Sequence, residues 1–488
     1  MLSLITISRP YKTNCGLLGL LIIFCQAGCT KFVQLDPPTS AITGKIVFDN
    51  NTSAAAAMTS IYGNIASDID YSIAHGKTSI GYLMGLAADE LTNYDPTNQL
   101  NVQFYPNALS SISSNGKSNN YFWPLLYNQI YITNSILAGL TNSKGVSASI
   151  KSQITGEAKF MRAFLYFYLV NLYGDVPLAT GTDYRVNNLL HRSPSAEIYK
   201  QIIADLKDAQ AQLSDDFLDA FGAKATEKIR PNKSAATAFL ARVYLYTGDW
   251  ANAETSASAV IGNTKLTLET NFNNVFLKSS KEAIWQLESN YVGYNTFDGL
   301  YYVLSYGAPG YDPSSVALSP DLVNAFEAGD KRRTNWIGEY TDDNITYYYY
   351  PYKYKISDYD ETVSPTEYVM VLRLAEQYLI RAEARAQQDN VSGAQGDINT
   401  IRTRAGLVNT SASDKASLLA AIFNERRTEL FTEWGHRWFD LKRSSNLNAV
   451  MSIVTPQKGG SWSPNWAVLP IPLSDLKANP NLTQNSGY

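Results

Sequence analysis

The chain has 488 residues, of which 45% are hydrophobic and 17% charged, and its net charge is −4. That composition describes an ordered globular protein with room for two or three ordinary domains, and it excludes a basic surface for nucleic acid. All three cysteines, Cys15, Cys25 and Cys29, lie near the N-terminus, so the rest of the chain can hold no disulfide, thiolate metal site or cysteine nucleophile.

Arg9 and Lys12 precede a short apolar run at residues 16–24 (GLLGLLIIF), and Ala27, Gly28 and Cys29 follow. This is the layout of a signal peptide with small residues before its cleavage point. The run is shorter than the roughly 20 residues a membrane-spanning helix needs. Residues 1–28 are therefore predicted to be an export signal. A Cys directly after Ala-Gly resembles the bacterial lipobox, in which that Cys becomes the lipidated first residue of the mature protein. Gln26 stands where the pattern usually has Leu, and a plain secretory peptide is the alternative. Cys25 follows the bulky Phe24 and is the poorer candidate. Residues 29–51 read as a polar, proline-broken tether.

Residues 52–264 read as helical hairpins. An Ala-rich helix begins at residue 52, and residues 83–91 (LMGLAADEL) end another. Asn, Ser and Pro dominate residues 92–120, a long loop of the kind that is usually functional or disordered. Helices follow at 121–140 and 149–173. In the second, Ile154, Ala158, Met161, Leu165, Tyr168 and Leu172 make one stripe that Gly174 and Pro177 end. Ser193 with Pro194 is predicted to open the next helix. Residues 235–261 form a hairpin broken at Gly248 and Asp249, and its YLYTGDWANA resembles the turn of a tetratricopeptide repeat.

Over residues 265–365 the helical pattern fades into an irregular insertion. AIWQLE (283–288) reads as a strand, 320–328 as a helix capped by Ser319, and the tyrosine run at 347–354 alternates too poorly for a simple edge strand. Helices resume over 366–488. The stretch 371–407 reads as helix, turn and helix, with stripes through Val371, Ala375, Leu379 and Ala382 and then Ala394, Ile398 and Ile401. The predicted fold is mainly α: a tetratricopeptide-like helical-hairpin repeat scaffold with an irregular, loop-rich ligand-binding insertion and a few short strands.

No HExxH and no Gly-rich phosphate loop is present, and His75, His191 and His436 stand far apart. Asp89 and Glu90 could be offered as a glycosidase acid and base, and so could the three glutamates Glu425, Glu429 and Glu433. The glutamates alternate with Arg426, Arg427 and Arg437, so a structural ion-pair network is the simpler account. Asp89 and Glu90 are expected to cap or brace the loop after them. Trp434, Trp438, Phe439 and Trp250 are expected to be structural.

Tyrosine, with 33 copies against 18 phenylalanines, suits half-wet surfaces. A sugar-binding site needs flat rings flanked by amides and carboxylates that hydrogen-bond hydroxyls. Asn93, Tyr94, Asp95 and Tyr105 in the first loop, and Tyr291, Tyr294, Tyr311 and Trp336 in the insertion, supply that mixture and are the candidate ligand residues.

Six strings together are similar to the SusD/RagB family of outer-membrane nutrient-binding lipoproteins: CTKFVQLDPPTS, EAKFMRAFLYFYLVNLYGDVPL, LARVYLYTGDW, LRLAEQYLIRAEARA with INTIRTRAGL, ERRTELFTEWGHRWFDLKR, and the ending LPIPLSDLKANPNLTQNSGY. The resemblance covers nearly the whole mature chain. It implies four tetratricopeptide-like hairpins, no catalysis and no cofactor or metal. It also implies a lipid anchor at Cys29, a place on the outer-membrane surface, and a role as lid on a SusC-like TonB-dependent barrel that imports captured oligosaccharide. A peptide ligand, as in the RagB branch, and a pure interaction scaffold are the alternatives. The family's ligand contacts come from the two loops named above, although this chain has no Trp between Asp89 and Tyr121.

Overall fold

A computed structural model describes residues 47–66, 72–110, 122–289 and 291–488. The predicted signal peptide, nearly all of the tether with Cys29, the end of the first loop, and Asn290 lie outside the described residues. Helices α1 (Asn51–Ala66), α2 (Ile80–Ala87), α3 (Asn101–Phe104), α4 (Phe122–Asn142) and α5 (Ala148–Tyr173) open the chain, with strand β1 (Leu91–Asn93) after α2. After α5 come β2 (Val176–Pro177), α6 (Tyr184–Asn187), β3 (Arg192–Ser193), α7 (Ser195–Gln212), α8 (Lys233–Thr247) and α9 (Trp250–Ile261). The insertion holds β4 (Ala283–Leu287), α10 (Phe297–Tyr302), β5 (Val316–Leu318), α11 (Pro320–Val323), α12 (Lys331–Trp336), β6 (Ile337–Tyr340) and β7 (Tyr348–Pro351). The chain closes with β8 (Val369–Arg373), α13 (Leu374–Gln387), α14 (Val391–Arg404), α15 (Lys415–Glu429), α16 (His436–Arg443), α17 (Leu447–Gln457) and α18 (Leu473–Ala478).

The fold is mainly α, as the periodicity predicts. The long helices pack in series: α4 on α5, α5 on α7, α7 on α8, α8 on α9, α9 on α13, and α13 on α14 and α15. Small residues permit the close crossings, since Ala236, Ala238, Ala241, Ala253, Ala257, Ala375, Ala382 and Ala394 are all fully buried. Buried arginines then tie neighbouring helices together. Arg162 Nε and Nη2 donate to Asp205 at 2.8 and 2.7 Å, joining α5 to α7. Arg242 donates to both oxygens of Glu376 at 2.7 Å, joining α8 to α13. Arg426 Nε donates to Asp440 at 2.7 Å, joining α15 to α16. Paired guanidinium and carboxylate planes fix how the helices register on one another, because a displaced partner leaves a buried charge exposed to nothing.

Among the described residues there are four two-stranded antiparallel sheets: β1 with β5, β2 with β3, β4 with β8, and β6 with β7. Three local predictions shift. The helix predicted from Val371 starts instead at Leu374, because Val-Met-Val-Leu, buried on both faces, pairs as β8 with β4. The helix after Ser193 starts at Ser195, since Ser193 belongs to β3 and the Asp175 carboxylate accepts the Ser195 N–H at 2.8 Å. The tyrosine run at 347–354 does contain a strand: β7 pairs with β6 from Tyr348 opposite Tyr340 to Pro351 opposite Ile337.

β4 plugs the insertion into the helical frame. Trp285 stands edge-on to Phe160 and Phe164 at 5.0 and 5.3 Å, and Trp434 meets Phe164 at 5.3 Å. Trp434, Trp438 and Phe439 are all buried. Gly435, at φ +71° after Trp434 at +47°, gives the left-handed turn between α15 and α16.

Candidate functional site

The site is built where β1 leaves the helical frame. β1 pairs with β5, Leu91 opposite Leu318 through Asn93 opposite Val316, and the Tyr94 N–H continues the ladder to Ser315 O at 2.9 Å. Asn93 and Asp95 shape the turn that follows. Asn93 Oδ1 accepts the Asp95 N–H at 3.1 Å, and Asp95 Oδ1 accepts the Thr97 N–H at 2.9 Å. Asn93 Oδ1 also accepts from Asn101 Nδ2 at 2.8 Å, so this amide holds the loop from inside. Tyr94 is thereby thrust outward, 40% exposed, with its ring edge-on to Tyr348 of β7 at 5.5 Å. Burial raises the pKa of Tyr94, with Tyr348 and Tyr105 adding to it, so the three phenols share one neighbourhood.

A second group of rings stands on α10. Tyr291, 44% exposed, lies 5.9 Å from Tyr294 and 5.7 Å from Phe297, and Tyr294 lies 5.2 Å from the exposed Tyr359. The fully buried Phe297 is their pedestal and stacks on His75 at 4.6 Å. His75 Nδ1 accepts the Phe297 N–H at 2.7 Å, while its Nε2 faces Ala66 O at 2.5 Å. Nδ1 can accept only as the bare nitrogen, so the imidazole is neutral with its proton on Nε2. Burial pushes its pKa down to about 4, which keeps that state. Asp298 takes the Gly76 N–H at 2.8 Å and locks the same loop onto α10. Asn295 Oδ1 accepts the Thr366 and Glu367 N–H groups at 2.6 and 3.0 Å, closing the insertion behind the rings.

Lys77 and residues 306–313 link the two groups. Lys77 Nζ lies 4.8 Å from the Tyr301 ring centroid and 3.8 Å from Asp312 Oδ1. Gly310, at φ +104°, runs so close to Tyr94 that an added Cβ would come within 3.0 Å of Tyr94 O. Tyr311 packs beside Gly307 and is 69% exposed. Thus Tyr94, Tyr105, Tyr291, Tyr294 and Tyr311 border one connected set of loops. Lys77, Tyr301, Tyr348 and Tyr359 join them without having been singled out by sequence. Tyr348 sits in the noticed tyrosine run, but only the pairing of β6 with β7 shows which way it faces.

Trp336 does not join them. It is fully buried, donates from Nε1 to Phe272 O at 3.1 Å, and is walled by Phe272 and Phe276. An indole wrapped by its own core offers no face to a ligand, so its candidate role is withdrawn.

The carboxylates considered as catalytic pairs are structural. Glu429 and Glu433 meet Arg373 at 2.6 and 2.8 Å, Glu425 and Glu429 meet Arg332 at 2.7 and 2.9 Å, and Glu282 meets Arg404 at 2.7 Å. The partners come from α12, β8 and α14 rather than from Arg426, Arg427 and Arg437. Of those three, Arg427 and Arg437 hold Asp89 at 2.9 and 2.7 Å. Burial pushes Glu90 up to about 8, with Asp89 adding to the effect. Its backbone carbonyl accepts the Ser319 N–H at 2.8 Å, bracing the end of β5. Among the described residues no group of three or more His, Cys, Asp or Glu is arranged to hold a metal ion, and no helix is long and apolar enough to cross a membrane.

A scaffold of paired helices presenting a tyrosine-lined loop surface is the architecture of a binding protein. The profile of the SusD family matches residues 338–488, and that of a family described as starch-binding, associating with outer membrane, matches residues 52–245. SusD-like protein P2 of Formosa agariphila is 30% identical over 426 residues, covering 75% of this chain and 80% of the relative. SusD-like protein P25 of the same organism is 25% identical over 96% of this chain and 98% of its own length. A solved structure described as a laminarin binding SusD-like protein superposes with a TM-score of 0.73 at 24% identity, covering 90% of this chain and 100% of that one. The chain belongs to the SusD family.

Proposed function

We propose that this protein captures an oligosaccharide on the tyrosine surface and hands it, chemically unchanged, to a SusC-like TonB-dependent barrel in the outer membrane. The carrying observation is two groups of exposed or half-buried rings, Tyr94 with Tyr348 and Tyr291 with Tyr294 and Tyr359, on loops that the Lys77–Asp312 pair joins. Flat rings take the apolar faces of sugar residues, while the ammonium and carboxylate reach hydroxyls. Support also comes from the starch-binding description of the family matched at residues 52–245. In this reading the hairpin frame carries the loops and faces the barrel. Acylation of Cys29 is the proposed anchor, and stable anchoring needs more than one acyl chain.

Calorimetry of the mature chain against a panel of glycans tests the capture step. At least one glycan binds, and replacing Tyr94, Tyr291 and Tyr294 together by Ala weakens it. Affinity indifferent to all three replacements removes the site, and selective enrichment of peptides from a digest replaces the glycan by a peptide ligand. Fractionation of the Cys29→Ala variant tests the anchor: it leaves the membrane fraction, whereas the parent stays.

A further inference from the structure

We infer that this surface, taken as the glycan site proposed above, admits uncharged glycan chains and excludes chains bearing uronate or sulfate. The charges around the rings carry the argument. Asp312 is nearly fully exposed at its side chain (95%) beside the Tyr311 ring. Asp358 accepts a hydrogen bond from the Tyr306 hydroxyl at 3.4 Å, and Glu361 accepts one from the Tyr359 hydroxyl at 3.0 Å. The Asp360 N–H donates to Gly293 O at 2.8 Å, which ties its backbone to the Tyr291 and Tyr294 loop, and its carboxylate accepts from the Thr362 N–H and hydroxyl at 2.9 and 2.6 Å. Asp95 completes the rim beneath Tyr94, and its pKa lies below the usual carboxylate range: burial raises it, but the hydrogen bonds from Thr97 and Asn98 outweigh that. It therefore stays charged.

Among the described residues, the cations nearby do not balance this rim. Lys77 is drawn to Asp312 and to the Tyr301 face. Lys458 lies 5.0 Å from the Tyr105 ring, but its ammonium turns inward to Leu86 O at 2.7 Å and to Ala88 O. Arg333 covers Tyr349 at 4.5 Å. Side chains alternate along a strand, so Tyr349 lies on the face of β7 opposite Tyr348 and Tyr94. The rim thus adds charged acceptors to phenol hydroxyls that both donate and accept. Sugar hydroxyls can donate to those carboxylates, while a sulfate or uronate brings a further anion into a field already negative. Selection by repulsion needs no extra contact to the accepted ligand.

The test is calorimetry of the full mature chain at 20 and 300 mM NaCl against four probes: a β-1,3-glucan oligosaccharide, a maltooligosaccharide, an alginate oligosaccharide and a sulfated galactan oligosaccharide. At least one of the first two binds with an affinity that salt hardly changes. The last two bind at least about tenfold more weakly, and what binding they show strengthens as salt screens the rim. In the triple variant Asp312→Asn, Asp358→Asn, Asp360→Asn the ratio of anionic to neutral affinity rises about tenfold, and circular dichroism reports whether the variant is folded. An anionic probe that binds as tightly as either neutral one, with affinity falling as salt rises, overturns the selection and leaves glycan capture standing. Failure of all four probes, with a lysine-rich peptide bound instead, overturns glycan capture itself and the selection with it.

Discussion

The helical frame and the tyrosine loops use the same side chains to opposite ends. In the frame, Arg373 sits fully buried between Glu282, Glu429 and Glu433 and lies 5.7 Å from the Trp336 ring. In the loops, Lys77 sits between Asp312 and the Tyr301 ring, its own side chain 20% exposed and that of Asp312 95% exposed. Both are a cation, a carboxylate and an aromatic ring. In the first case each group has lost its water and depends on the others for solvation. In the second, the Asp312 carboxylate keeps its water. The comparison teaches that the frame spends its polar groups on rigidity, while the loops keep theirs available.

The largest expected effect breaks the frame. Arg373→Met leaves three buried carboxylates short of a partner, and removing one side of a buried ionic network costs about 3–5 kcal/mol. Chemical denaturation reads this as a lower midpoint with an unchanged slope. A loss under about 1 kcal/mol means the carboxylates are hydrated, and the contrast with the loops then disappears.

A second effect sits beneath the loops. Burial pushes the Asp298 carboxyl up from 3.8 to about 7, with the hydrogen bond from Gly76 opposing and Glu433 adding. Between pH ~4 and ~7 the folded chain holds a proton that the unfolded chain has released. The stability this group contributes is therefore complete below pH ~4 and is lost as pH rises through ~7. At about 1.4 kcal/mol per pKa unit, the window is worth roughly 2–4 kcal/mol. Asp298→Asn keeps an acceptor for Gly76 and cannot ionise, so its stability relative to the parent should rise with pH across that window. Paired denaturation curves at pH 4.5 and 7.5 check it, and a constant difference refutes it.

Legibility followed the range of the forces involved. Helix existence was readable because the stripes through Ile154 to Leu172 and Ala394 to Ile401 are local and periodic. So was the segregation of aromatics, with Trp434 and Trp438 inside a helical motif and Tyr94 and Tyr291 amid Asn, Pro and Gly. The strand at Val369–Arg373 was not, because its partner β4 lies more than 80 residues earlier and a short apolar run suits either structure. Trp336 was misplaced for the same reason: the residues before it in sequence are polar, and Phe272 and Phe276, which wall it, are brought over by the fold. Glu425, Glu429 and Glu433 read correctly as ion-paired, yet their arginines come from α12, β8 and α14. Lys77 left no local sign at all, since a lone lysine in a Gly-Ser loop looks the same whether or not a tyrosine lies across from it.

A third effect separates binding from stability. Tyr94, Tyr291 and Tyr294 lie largely over other side chains of the loops, so their joint replacement by Ala should lower stability by no more than ~2 kcal/mol. It should reduce glycan affinity at least about tenfold, or ~1.4 kcal/mol. Calorimetry and thermal melts on one preparation give both numbers. A melt that collapses along with binding makes the rings part of the frame, and the division between the two regions fails.

The smallest effect is the most pointed, because it sets two lysines against each other. Lys353 Nζ donates to Glu429 O, Phe431 O and Glu433 Oε1 at 2.9, 2.8 and 2.5 Å and lies 3.9 Å from the Phe431 ring. Burial nonetheless lowers its pKa to about 8, with Glu433 opposing. Lys77→Met removes an ammonium whose paired carboxylate, Asp312, is 95% exposed. A pair with one partner in water contributes about 0–1 kcal/mol, and a cation over a ring about as much. Its melting temperature should therefore stay within ~2 °C of the parent at low salt and match it at high salt. Lys353→Met should melt several degrees lower at either salt concentration, since water and ions cannot reach the carbonyls it leaves. If Lys77→Met proves as damaging as Lys353→Met, the Lys77 bridge is part of the scaffold, and the two groups of rings are held as rigidly as the helices beneath them.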